Sequence, residues 1–322
     1  MRTRFCDLFG IDYPIVQAGM GSFTNAALVA AVSNAGALGS LGASNRSPEQ
    51  IGAEIGRIRT LTDRPFAVNF LISSLDPDGF AVACAERVPV ISFALGDPGE
   101  YVRRAHDTGA LVMHQVHTVE QARAAAGAGV DVLIAQGGEG GGFGQSVAAL
   151  PLVPQVVDAV HPLPVLAAGG IADGRGLAAA LVLGAQGANI GTRFLASAEA
   201  PVADGWKRAI VDARSEDVVK VELWNALMPV PGRGGYGTVP RAVRTPFVER
   251  WAGRQVEEEQ LEALRGELLA AMPAGRFHEY VPFAGESAGL IHEILPAGEI
   301  VARLVAEAEA ALARMAALLA RA

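Results

Sequence analysis

Six glycines lie between Gln136 and Gln145 in the stretch Ala135-Gln-Gly-Gly-Glu-Gly-Gly-Gly-Phe-Gly-Gln145. Such a run cannot hold a helix or strand without a large entropic cost, but it lets backbone lie close against a flat ligand. A flexible connector has the same composition. The start of this run, directly after the apolar residues 132–135, favours a ligand loop. Two further glycine loops are Ala167-Ala-Gly169-Gly170-Ile171 and Ile190-Gly191-Thr192-Arg193. Each precedes a helical stretch, one near Asp173 and one near Pro201, so that backbone N–H groups and a helix dipole face an anion. The chemistry they suit is phosphate binding, with the Thr192 hydroxyl as one more donor. Otherwise they only close tight turns. A fourth stretch, Val16-Gln-Ala-Gly-Met-Gly21, offers bare backbone and a soft thioether suited to a ring, or an ordinary turn. Asn69 and Gln115 end apolar runs. Neutral amides there either cap turns or meet the carbonyl and nitrogen edge of a ring.

Short apolar runs alternating with Ala-rich helical stretches must position these residues. The runs are Ile15–Ala18, Ala37–Leu41, Phe66–Asn69, Val90–Ser92, Leu111–Gln115, Val132–Ala135, Val165–Ala167 and Ala188–Ile190. Helix starts are marked near Asn25, at Ser47-Pro48 and at Thr118 with Gln121 three residues on. Eight strands, each trailed by a helix, predict a closed (β/α)8 TIM barrel. A doubly wound open sheet has fewer strands and puts its glycine loop after the first. The pattern breaks near Ser215. Residues 215–283 are expected to form a small, mostly helical lid or second domain, with a charged helix near Val256–Met272. Residues 1–214 and 284–322 then form the barrel and a C-terminal helix over Ala297–Ala322, which packs on the barrel or on a second subunit.

Composition excludes several functions. A net charge of −8 gives no attraction to nucleic acid or to an anionic membrane. Lys207 and Lys220 are the only lysines and neither ends a predicted strand, which argues against Schiff-base chemistry. Cys6 and Cys84 form no metal motif, so no metal is expected. The N-terminus has no apolar signal segment, and a soluble cytoplasmic enzyme of small molecules is expected.

Together these stretches resemble the nitronate monooxygenase family, also called 2-nitropropane dioxygenases. The likeness rests on Pro14–Gly21, Val68-Asn69, Ala135–Gly142, Val165–Ile171, Gly187–Phe194 and Ala284–Ile291, and covers essentially the whole chain. The resemblance implies FMN. Its phosphate would lie on Gly169, Gly170, Gly191 and Thr192, and its ring against Ala18, Gly19 and Met20. Asn69, Gln115 and Gln136 would meet the polar edge, beside Gly140, Gly141 and Gly142. The family loop carries a histidine after its glycines, acting as base or hydrogen-bond donor. Here that position is Phe143, which can neither take nor give a proton.

The catalytic residue is therefore unassigned. His114, where the family often has a histidine, is a candidate, but strand alternation lets only one of His114 and Gln115 face inward. His278 and His292 are weaker candidates, and Glu139 more naturally caps backbone amides. Phe143 and His114 are the expected substrate neighbours. The stretch Pro229–Tyr236 would shape the pocket, with Arg233 or Arg241 meeting an anionic group. The first expectation is oxidation of a small, nitronate-like carbon acid with dioxygen. The alternatives are an NAD(P)H-dependent reductase of an enoyl thioester or quinone, and a flavin-binding homologue without turnover. A sugar-phosphate isomerase or aldolase is disfavoured, because no lysine or carboxylate pair ends a strand. A homodimer through the C-terminal helix is a further expectation.

Overall fold

Eight parallel strands surround one axis in the computed structural model, which describes residues 1–229 and 237–320. In chain order the strands are β1 (Ile15–Gln17), β2 (Gly39–Gly42), β3 (Phe66–Leu71), β4 (Val90–Ala94), β5 (Leu111–Val116), β6 (Val132–Gln136), β7 (Gly142–Gly144), β8 (Val165–Ala168) and β9 (Ala188–Ile190). All but β7 join the barrel, in the order β1-β9-β8-β6-β5-β4-β3-β2. The sheet closes where Val16 bridges Leu38, with Gln17 N–H donating to the Leu38 carbonyl at 2.9 Å. The eight strands are those expected from the apolar runs, with ends moved by one or two residues.

Each strand is buried on both faces, as a parallel barrel requires, and side chains alternate between two cores. Val16, Leu38, Ala67, Val90, Met113, Val132, Ile134 and Leu166 point to the axis and meet Phe5, Cys6 and Phe9 of the N-terminal helix Arg4–Phe9. Ile15, Leu41, Val68, Ile91, Val112, Leu133 and Val165 point outward to the helices. The helix starts follow local chemistry. Asn25 caps Ala26–Asn34, Ser47 and Gln50 form a full capping box, and Thr118 accepts from Gln121 N–H. The C-terminal helix Ala297–Leu319 buries Ile300, Val301, Leu304, Val305 and Ala308 against the barrel.

Beyond the barrel, β10 (Val218–Lys220) and β11 (Val239–Val243) join β7 in an antiparallel sheet ordered β10-β11-β7. The glycine-rich loop, expected to be neither helix nor strand, thus contributes a strand. Pro240 lies opposite Phe143 and Arg241 opposite Gly142, and the ladder to β11 offsets glycine's entropic cost. Helices Trp224–Leu227, Pro246–Trp251 and Glu258–Ala271 pack over this sheet around a separate apolar core that includes Trp206, Trp224, Leu264, Leu268 and Phe277. The helix expected near Pro201 begins at Asp204, and a short turn of helix, Thr192–Leu195, precedes it. Among the described residues no helix is long and apolar enough to cross a membrane.

Candidate active site

A cavity of about 350 Å³ opens at the C-terminal ends of the barrel strands. Its floor follows from alternation: one rung above the inward apolar layer stand Ser40, Asn69, Ser92, Gln115, Gln136 and Asn189, all lining the cavity. Asn69 Nδ2 donates to Ser92 Oγ at 3.3 Å, and Gln136 Nε2 to the Phe143 carbonyl at 3.3 Å. Ser40 Oγ is buried without a protein partner. The opposite wall is apolar, built from Phe23, Phe143, Trp224, Met228, Phe277 and Phe283. Among the described residues that line the cavity none is ionisable. Nor do three His, Cys, Asp or Glu side chains converge anywhere among the described residues to hold a metal.

One side of the cavity is bare backbone. Ala168 pairs with Asn189, which places the loops after β8 and β9 side by side. Gly169 and Gly170 have φ of 94° and 71°, the left-handed region that favours glycine. Among the described residues no backbone carbonyl accepts from the N–H groups of Gly169, Gly170, Gly191 or Thr192. A Cβ on Gly191 would meet only Met20 Sδ at 3.7 Å and Ala18 Cβ at 3.8 Å, so the space above it is open cavity. Thr192 Oγ accepts from Gly285 N–H at 2.9 Å, which leaves its own proton free to donate outward. The Ala284–Ile291 motif therefore clamps the loop after β9.

The structure brings Ala18, Gly19, Met20, Asn69, Gln115, Gln136, Gly140, Gly141, Gly142, Phe143, Gly169, Gly170, Gly191 and Thr192 to this one cavity. It does not bring His114. Met113 and Gln115 face inward, so His114 lies on the outer face of β5, opposite Phe93 in the ladder. Burial pushes its pKa down to about 4, and it is neither a cavity base nor a substrate neighbour. Arg241 is likewise unavailable to an anionic ligand. It ion-pairs with Glu286 at 2.8 Å and donates to the Gly138 carbonyl at 2.7 Å. Glu139 caps the helix Ala149–Val160 through Ala149 N–H at 3.0 Å. His278 and His292 do not line the cavity, and Arg233 lies outside the described residues.

Sequence reasoning missed Ser40, Ser92 and Asn189. The period of two, which puts Ser40 in phase with Leu38 and Ser92 with Val90, could have found the first two. It also missed the wall residues Trp224, Met228, Phe277 and Phe283, which carry no local signal.

The profile described as nitronate monooxygenase matches residues 2–80 and 76–307. The chain belongs to the nitronate monooxygenase family. It is 38% identical over 280 residues to the (3aS,4S,5R,7aS)-5-hydroxy-7a-methyl-1-oxo-octahydro-1H-indene-4-carboxyl-CoA dehydrogenase of Mycobacterium tuberculosis, covering 86% of this chain and 74% of that one. It is 35% identical over 282 residues to a probable nitronate monooxygenase of Staphylococcus saprophyticus, covering 73% and 78%. The structure of FabK from Thermotoga maritima superposes with a TM-score of 0.89 and 36% identity over 99% of both chains. This nitronate monooxygenase family member is an oxidoreductase. Its barrel is shared with FabK, and Phe143 stands on the cavity wall.

Proposed function

We propose that this protein is an FMN-dependent oxidoreductase that passes an electron pair from NADH or NADPH to a bulky apolar acceptor, an enoyl thioester or a quinone. The observation that carries this reading is the lack of any ionisable side chain among the described cavity-lining residues. A neutral carbon acid needs a base in the cavity, and a positioned base is worth about 10²–10⁴-fold in rate. Gln115, Gln136 and Phe143 cannot supply it. A preformed nitronate needs no base, but it is a small anion, and an apolar wall with no cation among its described residues penalises its burial. A neutral hydride acceptor meets neither obstacle.

The residues fit FMN on two features of the structure. The N–H groups of Gly169, Gly170, Gly191 and Thr192 form an unspent donor cradle for a phosphate. The orphaned Ser40 Oγ and the amides of Asn69, Gln115 and Gln136 suit the polar edge of a neutral ring. When bound, FMN supplies the two-electron chemistry between donor and acceptor. The chain orients the substrates, and Phe23, Phe143, Trp224 and Phe283 exclude water from the acceptor's face. The proton that accompanies reduction comes from solvent, since no described lining side chain can give one. We take residues 215–283 as the lid that closes over the acceptor. CoA-ester and FabK relatives support a thioester.

A second reading, oxidation of a nitronate by dioxygen, is favoured by the family itself and by the relative named a probable nitronate monooxygenase. The two separate in one experiment. FMN-loaded enzyme is mixed anaerobically with NADH, NADPH or an alkyl nitronate and the flavin colour is followed. Faster bleaching by a reduced nicotinamide supports the first reading, and faster bleaching by the nitronate supports the second. No bleaching by any of them leaves a flavin-binding protein without turnover.

A further inference from the structure

One loop joins the two walls of the cavity. It runs from the end of β1 to Asn25, the cap of the helix Ala26–Asn34, and folds into a short 3-10 turn over Gly21–Phe23. All of its residues from Ala18 to Phe23 line the cavity. Met20 stands on the cofactor side, where its Sδ would lie 3.7 Å from a Cβ on Gly191. Three residues on, Phe23 belongs to the aromatic wall, with its ring centroid 4.8 Å from that of Trp206 and 6.0 Å from that of Phe277. Gly19 and Gly21 leave such a loop free to rearrange unless its backbone is held. The group that holds it is Arg46, four residues past the end of β2. Its guanidinium donates to the Gly21 carbonyl at 3.0 Å, and also to the carbonyls of Thr24 and Gly42. The buried Thr24 adds a second tie, its Oγ donating to the Gly21 carbonyl at 3.0 Å and accepting from Gly42 N–H at 2.8 Å. The two backbones touch there, since a Cβ on Gly42 would strike Gly21.

We infer that Arg46 is a positioning residue that fixes the Gly21–Phe23 turn, and through it both the seat of the FMN ring at Met20 and the aromatic wall at Phe23. Arg46 does not line the cavity, and all three of these acceptors are main-chain carbonyls. Its planar fork reaches three carbonyls from two strand ends at once, which the compact ammonium of a lysine does not. The two acceptors in the loop, Gly21 and Thr24, bracket the turn, so the fork sets its orientation as well as its place. The effect on the ring rests on the reading that FMN fills this cavity; the clamp on the loop does not.

The test uses the full-length protein with Arg46→Ala and Arg46→Lys. Hydrogen exchange of the amides between 19 and 24 is read without FMN, FMN affinity by flavin titration, and ring placement by the visible circular dichroism of bound flavin. The Ala variant is measured again with millimolar guanidinium chloride and, at equal ionic strength, with methylammonium chloride. The expected result is roughly tenfold faster loop exchange and roughly tenfold weaker FMN binding in the Ala variant, the scale of a lost hydrogen bond from a charged group. Guanidinium should restore most of both, and methylammonium should not. The Lys variant should fall between, with an altered flavin dichroism. Wild-type behaviour of the Ala variant overturns the inference. So does rescue by neither cation or equally by both, or faster exchange spread through β5 and β6, which would mark Arg46 as a general prop of the barrel. If the Ala variant does not fold, the Lys variant decides alone, and wild-type exchange and dichroism there overturn the inference. A wild-type protein that binds no FMN sinks the proposed function, while loop exchange and its rescue by guanidinium still decide the clamp.

Discussion

On the barrel side of the cavity, position is set by strand register; on the lid side it is set by packing alone. Asn69, Ser92, Gln115 and Gln136 face inward because each lies two residues from an inward partner on its strand, Asn189 because it pairs with the inward Val16 and Ala168, and the glycine loops follow the ends of β8 and β9. Trp224, Met228, Phe277 and Phe283 come from helix ends, 3-10 turns and loops in two stretches about fifty residues apart, gathered by the second core. The barrel side presents neutral amides and unspent backbone donors, while the lid side presents rings and thioethers. On the proposed function, the barrel side would hold the cofactor and the opposite side would set the size and polarity of the acceptor.

The sharpest way to break this division is Gly191→Leu. A side chain there meets no protein atom closer than 3.7 Å at its Cβ, so the fold should tolerate it, yet it would fill the space proposed for FMN. FMN binding should weaken by at least about a hundredfold, equivalent to ~2.7 kcal/mol, with little change in melting temperature. Flavin titration checks this, and undiminished binding would place the cofactor elsewhere.

Behind the barrel wall, His114 and His117 are kept neutral by burial, each with a pKa pushed from near 6.5 down to about 4. The unfolded chain takes up protons there that the folded chain refuses. The stability they carry is therefore full above pH 6.5 and is lost as pH falls towards 4. The shift corresponds to about 3 kcal/mol for each histidine. Chemical denaturation between pH 7 and 4 should show this loss, and it should be smaller in a His114→Leu variant.

Phe143→His puts an ionisable group on the lid-facing wall. Turnover of neutral nitroalkanes should rise by about 10²-fold, the modest end of what a positioned base supplies, and this is read as steady-state oxygen uptake. No gain would mean that position 143 is not where the base of this family acts. The smallest effect is expected from Met272→Ala at the half-exposed edge of the cavity. KM for an apolar acceptor should rise roughly fivefold, or ~1 kcal/mol, with kcat and FMN affinity unchanged. A change in FMN affinity would blur the division between the walls.

Much of the barrel side was legible in the sequence because its signals are local. Apolar runs mark the strands, Ser47, Thr118 and Asn25 mark helix starts, and Gly169, Gly170 and Gly191 mark loops where backbone must stay bare. His114 was ambiguous for a local reason too, since a period of two gives the alternation but not its phase; Met113 and Gln115 settle it. The strand Gly142–Gly144 was not legible, because glycine has no strand preference and its partner β11 lies almost a hundred residues on. The fate of Arg241, paired with Glu286 and the loop carbonyls, also depends on contacts distant in the chain.

The claim on which the rest depends is the proposal that the acceptor is reduced in a cavity whose described lining residues offer it no side-chain acid or base. It is tested by the rate at which an enoyl thioester or quinone reoxidises the reduced enzyme, measured anaerobically from about pH 5.5 to 9, a range spanning the ordinary pKa of histidine. The account predicts a flat profile. A profile with an apparent pKa near neutrality, lost on mutation of a residue at the cavity, would contradict it.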